Sequence, residues 1–185
     1  MIMAPGLRKA ALVVHVGCSV GWLGSVVTSL VMAVVGLASR DSEVVRAVYL
    51  ALEMIGWYAL VPLSLASLVT GLVQSLGTTW GLLRHYWVLA KLLMNLFATS
   101  VLLLYMQTLT YLAAKARLAA SAIDLDRLSD PSPVAHAGAA VVLLLVALVL
   151  SIYKPRGLTA YGRRKQQRPR SVTAGPRAAR AVSQL

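Results

Sequence analysis

Cysteine occurs once in the 185 residues, at Cys18, so no intrachain disulfide can form and thiol pairing marks no compartment. Charge is scarce as well. Asp, Glu, Lys and Arg make up 13% of the chain, against about 25% in soluble domains. No glycine-rich phosphate loop of the P-loop kind is present, no nucleophile elbow and no zinc-type cluster of cysteine and histidine. Nothing therefore supports an ATPase, a protease or a kinase. The three acids between Lys115 and Pro133 (Asp124, Asp126 and Asp130) lack the glycine turn and the closing bidentate acid of a calcium loop.

What the chain has in excess is hydrocarbon. Hydrophobic residues make up 58% of it, above the usual 45–50% or so. They gather in four runs, residues 10–37, 48–76, 86–114 and 134–153. Each reaches or exceeds the ~20 residues that carry a helix across ~30 Å of hydrocarbon. The second and third are long enough to tilt or protrude. The sequence predicts an all-α, membrane-embedded four-helix bundle over 1–153, with a basic, disordered tail over 154–185.

Arg8 and Lys9 followed by an apolar run resemble a signal peptide, and residues 36–39 have the small side chains of a cleavage site. The run is about twice the 7–15 residues of a signal core and carries His15 and Trp22, so a retained helix is expected. Orientation follows the loop cations. With the N-terminus inside, Arg8, Lys9, Arg84 and the nine basic residues after Tyr153 are cytoplasmic, while Arg40, Arg46, Lys115, Arg117 and Arg127 lie outside. The tail decides the balance. A multi-pass cell-membrane protein with both termini in the cytoplasm is the expected topology.

At about 100° per residue, His15, Cys18, Ser19, Trp22, Ser25 and Ser29 share one stripe of the first helix. Gly17, Gly21, Gly24 and Thr28 form another nearly opposite, with small-xxx-small spacing suited to close helix approach. In the second helix Glu53, Gly56, Trp57, Ser64, Ser67, Gly71 and Gln74 share a face, and Asp41 or Ser42 is placed to cap its start. Pro62 lacks a backbone donor and should bend that helix, with nearby serines answering the freed carbonyls. The third helix aligns Arg84, Trp87, Lys91, Met94, Asn95, Ala98 and Tyr105. Lys91 either snorkels to the headgroups or points inward. If inward, it lies at the depth of His15, about 9–11 Å from the inner end at 1.5 Å per residue.

Two polar layers are thus expected. An inner cluster comprises His15, Ser19, Trp22, Gln74, Lys91 and Asn95, and an outer one Glu53 and His136. Polar groups at such depth need partners or a function. The fourth helix, nearly all Ala, Val and Leu after His136, suits packing or lipid contact.

The last 32 residues hold nine basic side chains and no acidic one. Low apolar content argues for disorder. Residues 161–170 look like an arginine-rich nucleic-acid peptide. Tethering beside an anionic leaflet, at about 1 kcal/mol per basic residue, gives the simpler partner. Arg163, Arg164, Lys165, Arg168 and Arg170 are the expected headgroup contacts.

The pattern His15-x6-Trp22-Leu-Gly-Ser25, with Thr70-Gly-Leu72, Trp80-Gly-Leu82, Trp87-x3-Lys91 and the 153–165 ending, resembles a predicted integral-membrane family of unknown function common in actinobacteria. The likeness covers about residues 10–165. More distantly, the order of these motifs is similar to the CopD copper-resistance and HemJ-type membrane families. That similarity implies copper handling or haem-dependent protoporphyrinogen oxidation, with His15 and Lys91 at the matching positions. Haem b would take His15 as a ligand, with Met94 or Lys91 opposite. For Cu(I), Cys18, Met32, Met54, Met94 and Met106 are the soft donors, though methionine is also ordinary filler. Three functional classes follow: a structural or accessory bundle serving other membrane subunits, a haem-associated redox protein, and a carrier of metal or small solute.

Overall fold

The computed structural model describes residues 3–77, 85–119 and 130–153, together with Gly157, Thr159, Arg163 and Arg164. Helix α1 is Pro5–Ala38, α2 Ser42–Ile55, α3 Val61–Gly77, α4 Tyr86–Leu118 and α5 Ser132–Tyr153, with a π-helical turn, Gly56–Leu60, joining α2 to α3. Among the described residues, four helical stretches (α1, α2 through α3, α4 and α5) are long and apolar enough to cross a membrane. The fold is an all-α bundle of four such helices.

The helices run past the apolar segments because their polar ends make good termini. Pro5 occupies the first turn of α1, where a missing N–H costs nothing and φ is preset. Asp41 caps α2 by accepting from the Glu43 N–H at 2.9 Å, as the sequence suggests. Lys115 and Arg117 lie in the last turn of α4, where cations meet the negative end of the helix dipole. At the start of α5 the Asp130 carboxylate accepts from the Ser132 N–H at 2.8 Å.

Pro62 acts through the turn before it. The Val61 N–H reaches the Gly56 carbonyl, five residues back, so the chain takes up the missing donor as a π-turn. Ser64 answers a different carbonyl from the one expected. Its hydroxyl donates to Val61 O at 2.9 Å rather than to a carbonyl a turn upstream of the proline. A serine at i−3 spacing reaches back only as far as its own turn.

Helix α1 packs on α2, α3 and α5, and α4 packs on the same three, so α1 and α4 stand mainly on opposite sides of the bundle. The core changes character along the axis. At the end where α1 meets α2, Val45, Tyr49, Leu112 and Ala116 pack together, followed by Ala33, Val48, Leu52, Met106 and Leu109. Trp22, Val26 and Leu60 fill the middle. Beyond them the buried residues of α3 are Ser64 and Ser67. The Met3 N–H donates to Gly77 O at 3.2 Å, which places the start of α1 and the end of α3 at this more polar end.

Among the described residues the small-residue stripe of α1 meets a neighbour at only one of its three glycines. A Cβ added at Gly17 or Gly24 would meet nothing within 4 Å, and only Gly21 approaches a neighbour, Leu63 at 3.5 Å. The opposite stripe, led by Trp22, takes the bundle interior, so Gly17 and Gly24 are exposed.

Candidate functional site

The polar end is built where α1 lies along α3. His15 Nδ1 is 3.0 Å from Thr70 Oγ1, and one turn deeper Ser19 Oγ is 2.8 Å from Ser67 Oγ. Thr70 has a single hydroxyl proton, and its short bond runs to Ala66 O at 2.6 Å. Thr70 Oγ1 can then only accept from the ring, so His15 carries its proton on Nδ1 and keeps Nε2 unspent in this contact. Gly71 makes the contact possible. A Cβ there would stand 3.0 Å from His15 Cε1, tighter than nearly all real Cβ contacts, so the imidazole lies close against the α3 backbone.

Of the expected inner cluster, the structure joins His15 and Ser19 to α3. Lys91, half-buried on α4, is near enough for its charge to act on His15, and its ammonium also sits 5.6 Å from the centre of the Trp87 ring, within cation–π range. Gln74 Nε2 is buried at this end, with no hydrogen-bond partner among the described residues. Met94 and Asn95 are half-buried on α4 beyond Lys91. Trp22 belongs elsewhere. It is 2% exposed in the central core, because its bulk fills the space that Val26 and Leu60 leave.

The outer pair is divided between two residues of α4. Glu53 forms an ion pair with Arg117. His136 stacks on Tyr105, ring centres 3.9 Å apart and planes 13° from parallel. Its Nδ1 is 2.9 Å from Ser132 O, and the Tyr105 and Ser132 hydroxyls are 3.0 Å apart. A carbonyl can only accept, so His136 also carries its proton on Nδ1. Beside this stack, between α1, α4 and α5, is a cavity of about 140 Å³ with Trp22, Phe97, Tyr105, His136 and Ala140 among its walls.

Two more of the cations expected on the outer side are engaged too. Arg46 donates to Ala119 O at the end of α4, and Lys115 lies 4.5 Å from the centre of the Tyr111 ring. The soft donors point different ways, since Met106 is fully buried while Met54 is 61% exposed. Among the described residues no group of three or more His, Cys, Asp or Glu is placed to hold a metal. Arg163 and Arg164 are exposed. Arg84, Trp80, Asp124, Asp126, Lys165, Arg168 and Arg170 lie outside the described residues. Gly157 lies near α4, where a Cβ on it would stand 3.5 Å from Tyr86 Cδ2, and Thr159 is 8% exposed.

Sequence reasoning passes over His85, which precedes α4 with its ring 6.4 Å from that of Trp87, because it falls between apolar periods. It also assigns Arg46 and Arg117 to topology alone. The contact of Trp57 Nε1 with Thr110 Oγ1 at 3.3 Å has no signal short of the α2–α4 register. Compared with known proteins, the chain matches no family model, no curated protein and no solved structure.

Proposed function

We propose that this chain is a structural or accessory component of the cell membrane, a four-helix bundle that presents its lipid-facing and headgroup-level surfaces to other membrane subunits. What supports the reading is the pairing of the polar groups along α1 and α3. The His15–Thr70 and Ser19–Ser67 contacts use polar side chains of α1 to fasten one helix to the next, as polar side chains do inside bilayers. Both termini lie in the cytoplasm, and the basic tail meets anionic headgroups rather than nucleic acid. The test is crosslinking in native membranes followed by isolation in mild detergent. Discrete membrane subunits captured in fixed ratio support the reading, and a chain recovered alone overturns it.

A second reading rests on one observation. His15 holds its proton on Nδ1 against Thr70, the arrangement in which a histidine presents Nε2 to a metal. Haem b bound through that nitrogen, with Met94 or Lys91 as the opposite ligand, is the redox alternative, in keeping with the HemJ-type resemblance. Bound haem would supply one-electron chemistry. A Soret band in the purified protein that His15→Ala abolishes carries this reading, and a colourless preparation with no bound iron ends it.

A further inference from the structure

We infer that the cavity beside the His136–Tyr105 stack is a binding site for the phenolic ring of a membrane-soluble, alkyl-tailed molecule. Four features point there together. The first is size. At about 140 Å³ the cavity is close to the ~150 Å³ apolar void known to accept benzene, so it holds one six-membered ring and little more. The second is lining. Trp22, Phe97 and Tyr105 face it among aliphatic neighbours, and aromatic walls favour an aromatic guest by offset and edge-on contacts.

The third feature is a polar handle on a wall whose hydroxyls are already spent, Ser29 on Ser25 O and Tyr105 on Ser132. His136 spends Nδ1 on the Ser132 carbonyl, and stacking on Tyr105 fixes the plane of its ring. Nε2 has no hydrogen-bond partner among the described residues, and in the neutral ring it is an acceptor. A guest that donates one O–H fits, as a phenol does and a plain hydrocarbon does not. The fourth is access. Phe97 on the cavity wall is 62% exposed, and Ala139 and His136, also lining it, are exposed. In a bilayer that side meets acyl chains, so the guest enters sideways and leaves its alkyl tail in the lipid. The π-turn shapes the opposite wall, since Leu60 at its end lines the same cavity, and π-turns recur at functional sites.

The experiment is equilibrium binding of radiolabelled 4-nonylphenol to the full chain in lipid nanodiscs, corrected for protein-free discs, with nonylbenzene and nonanol as competitors. One saturable site is expected, with nonylbenzene competing more weakly and nonanol not at all. His136→Ala, at an exposed position, should weaken the phenol about five- to tenfold, the worth of one hydrogen bond, and leave nonylbenzene unchanged. Ala139→Phe fills the cavity from its exposed rim and should abolish saturable binding, with size-exclusion behaviour reporting that the bundle persists. Uptake no greater than in empty discs, or wild-type binding by Ala139→Phe, overturns the site. Equal affinity of His136→Ala and wild type for the phenol overturns the assignment of a phenolic guest.

Discussion

His15 gives one ring nitrogen to Thr70, and Thr70 can receive it only because its own proton goes back to Ala66. Removing either partner should therefore destabilise the bundle through the same bond. Interhelical hydrogen bonds in membranes average about 0.6 kcal/mol and reach about 1.7. A double-mutant cycle with His15→Phe and Thr70→Val, read by unfolding in mixed micelles, should give a coupling inside that span. Additive single effects would mean that the contact contributes only shape. At this scale the sequence is a good guide to which residues turn inward and a poor guide to what they hold. The angular period places His15, Ser19 and Ser67 toward a neighbour, because a helix repeats every 3.6 residues whatever it packs on. It cannot say that Thr70 accepts rather than donates, since that depends on a carbonyl one turn away. Nor does it find the stacking of His136 on Tyr105, two helices whose relative register no local pattern encodes.

Between elements, what the chain specifies most tightly is how close two backbones come. Where α1 turns into α2, a Cβ at Gly36 would stand 2.7 Å from Val48 Cγ1 and 3.2 Å from Val48 Cβ. Val48 is buried and β-branched, so it has one comfortable rotamer in a helix and cannot swing aside. Gly36→Ala should cost about 1–3 kcal/mol by overpacking. Adding Val48→Ala should return part of that loss, so the pair costs less than the sum of the single changes. Strict additivity in thermal unfolding would show that the helices can slide apart instead. Helix number and order are legible here from hydrophobic length alone. The close contact is not, because Gly36 sits in a sequence that resembles a cleavage site as much as a packing point. Of the glycines that do follow a recognisable spacing, Gly17 meets nothing within 4 Å among the described residues and Gly21 meets Leu63 at 3.5 Å. Pro62 is intermediate. Its missing donor is predictable, but its resolution as a π-turn depends on how Leu60 and Gly56 bury.

For the molecule as a whole, how the loop cations are engaged bears on the expected topology with the N-terminus inside. Cations at the α1–α2 end would oppose an N-terminus-inside topology if they were free to seek anionic lipid. In the structure Arg46 is bound to the end of α4, Arg117 to Glu53 and Lys115 to the Tyr111 ring. Arg40 stays exposed there, and the nine cations after Tyr153, each worth about 1 kcal/mol at an anionic surface, are expected to outweigh it. In a Cys18→Ala background, Glu43→Cys and Ser183→Cys report the two ends. Glu43 is exposed, and acidic residues weigh little in topology, so the probe does not bias the answer. On intact cells an impermeant maleimide should label Glu43→Cys at once and Ser183→Cys only after permeabilisation. The reverse pattern inverts the molecule. The same Ser183→Cys site, carrying a dye, should approach the bilayer surface in nanodiscs rich in anionic lipid but not in neutral ones. That approach should fade between about 0.15 M and 1 M salt as the screening length falls from about 8 Å to about 3 Å. A tail that stays close in neutral discs at high salt is held by something other than headgroup charge, and the packing of Gly157 against Tyr86 is then the first contact to break by mutation.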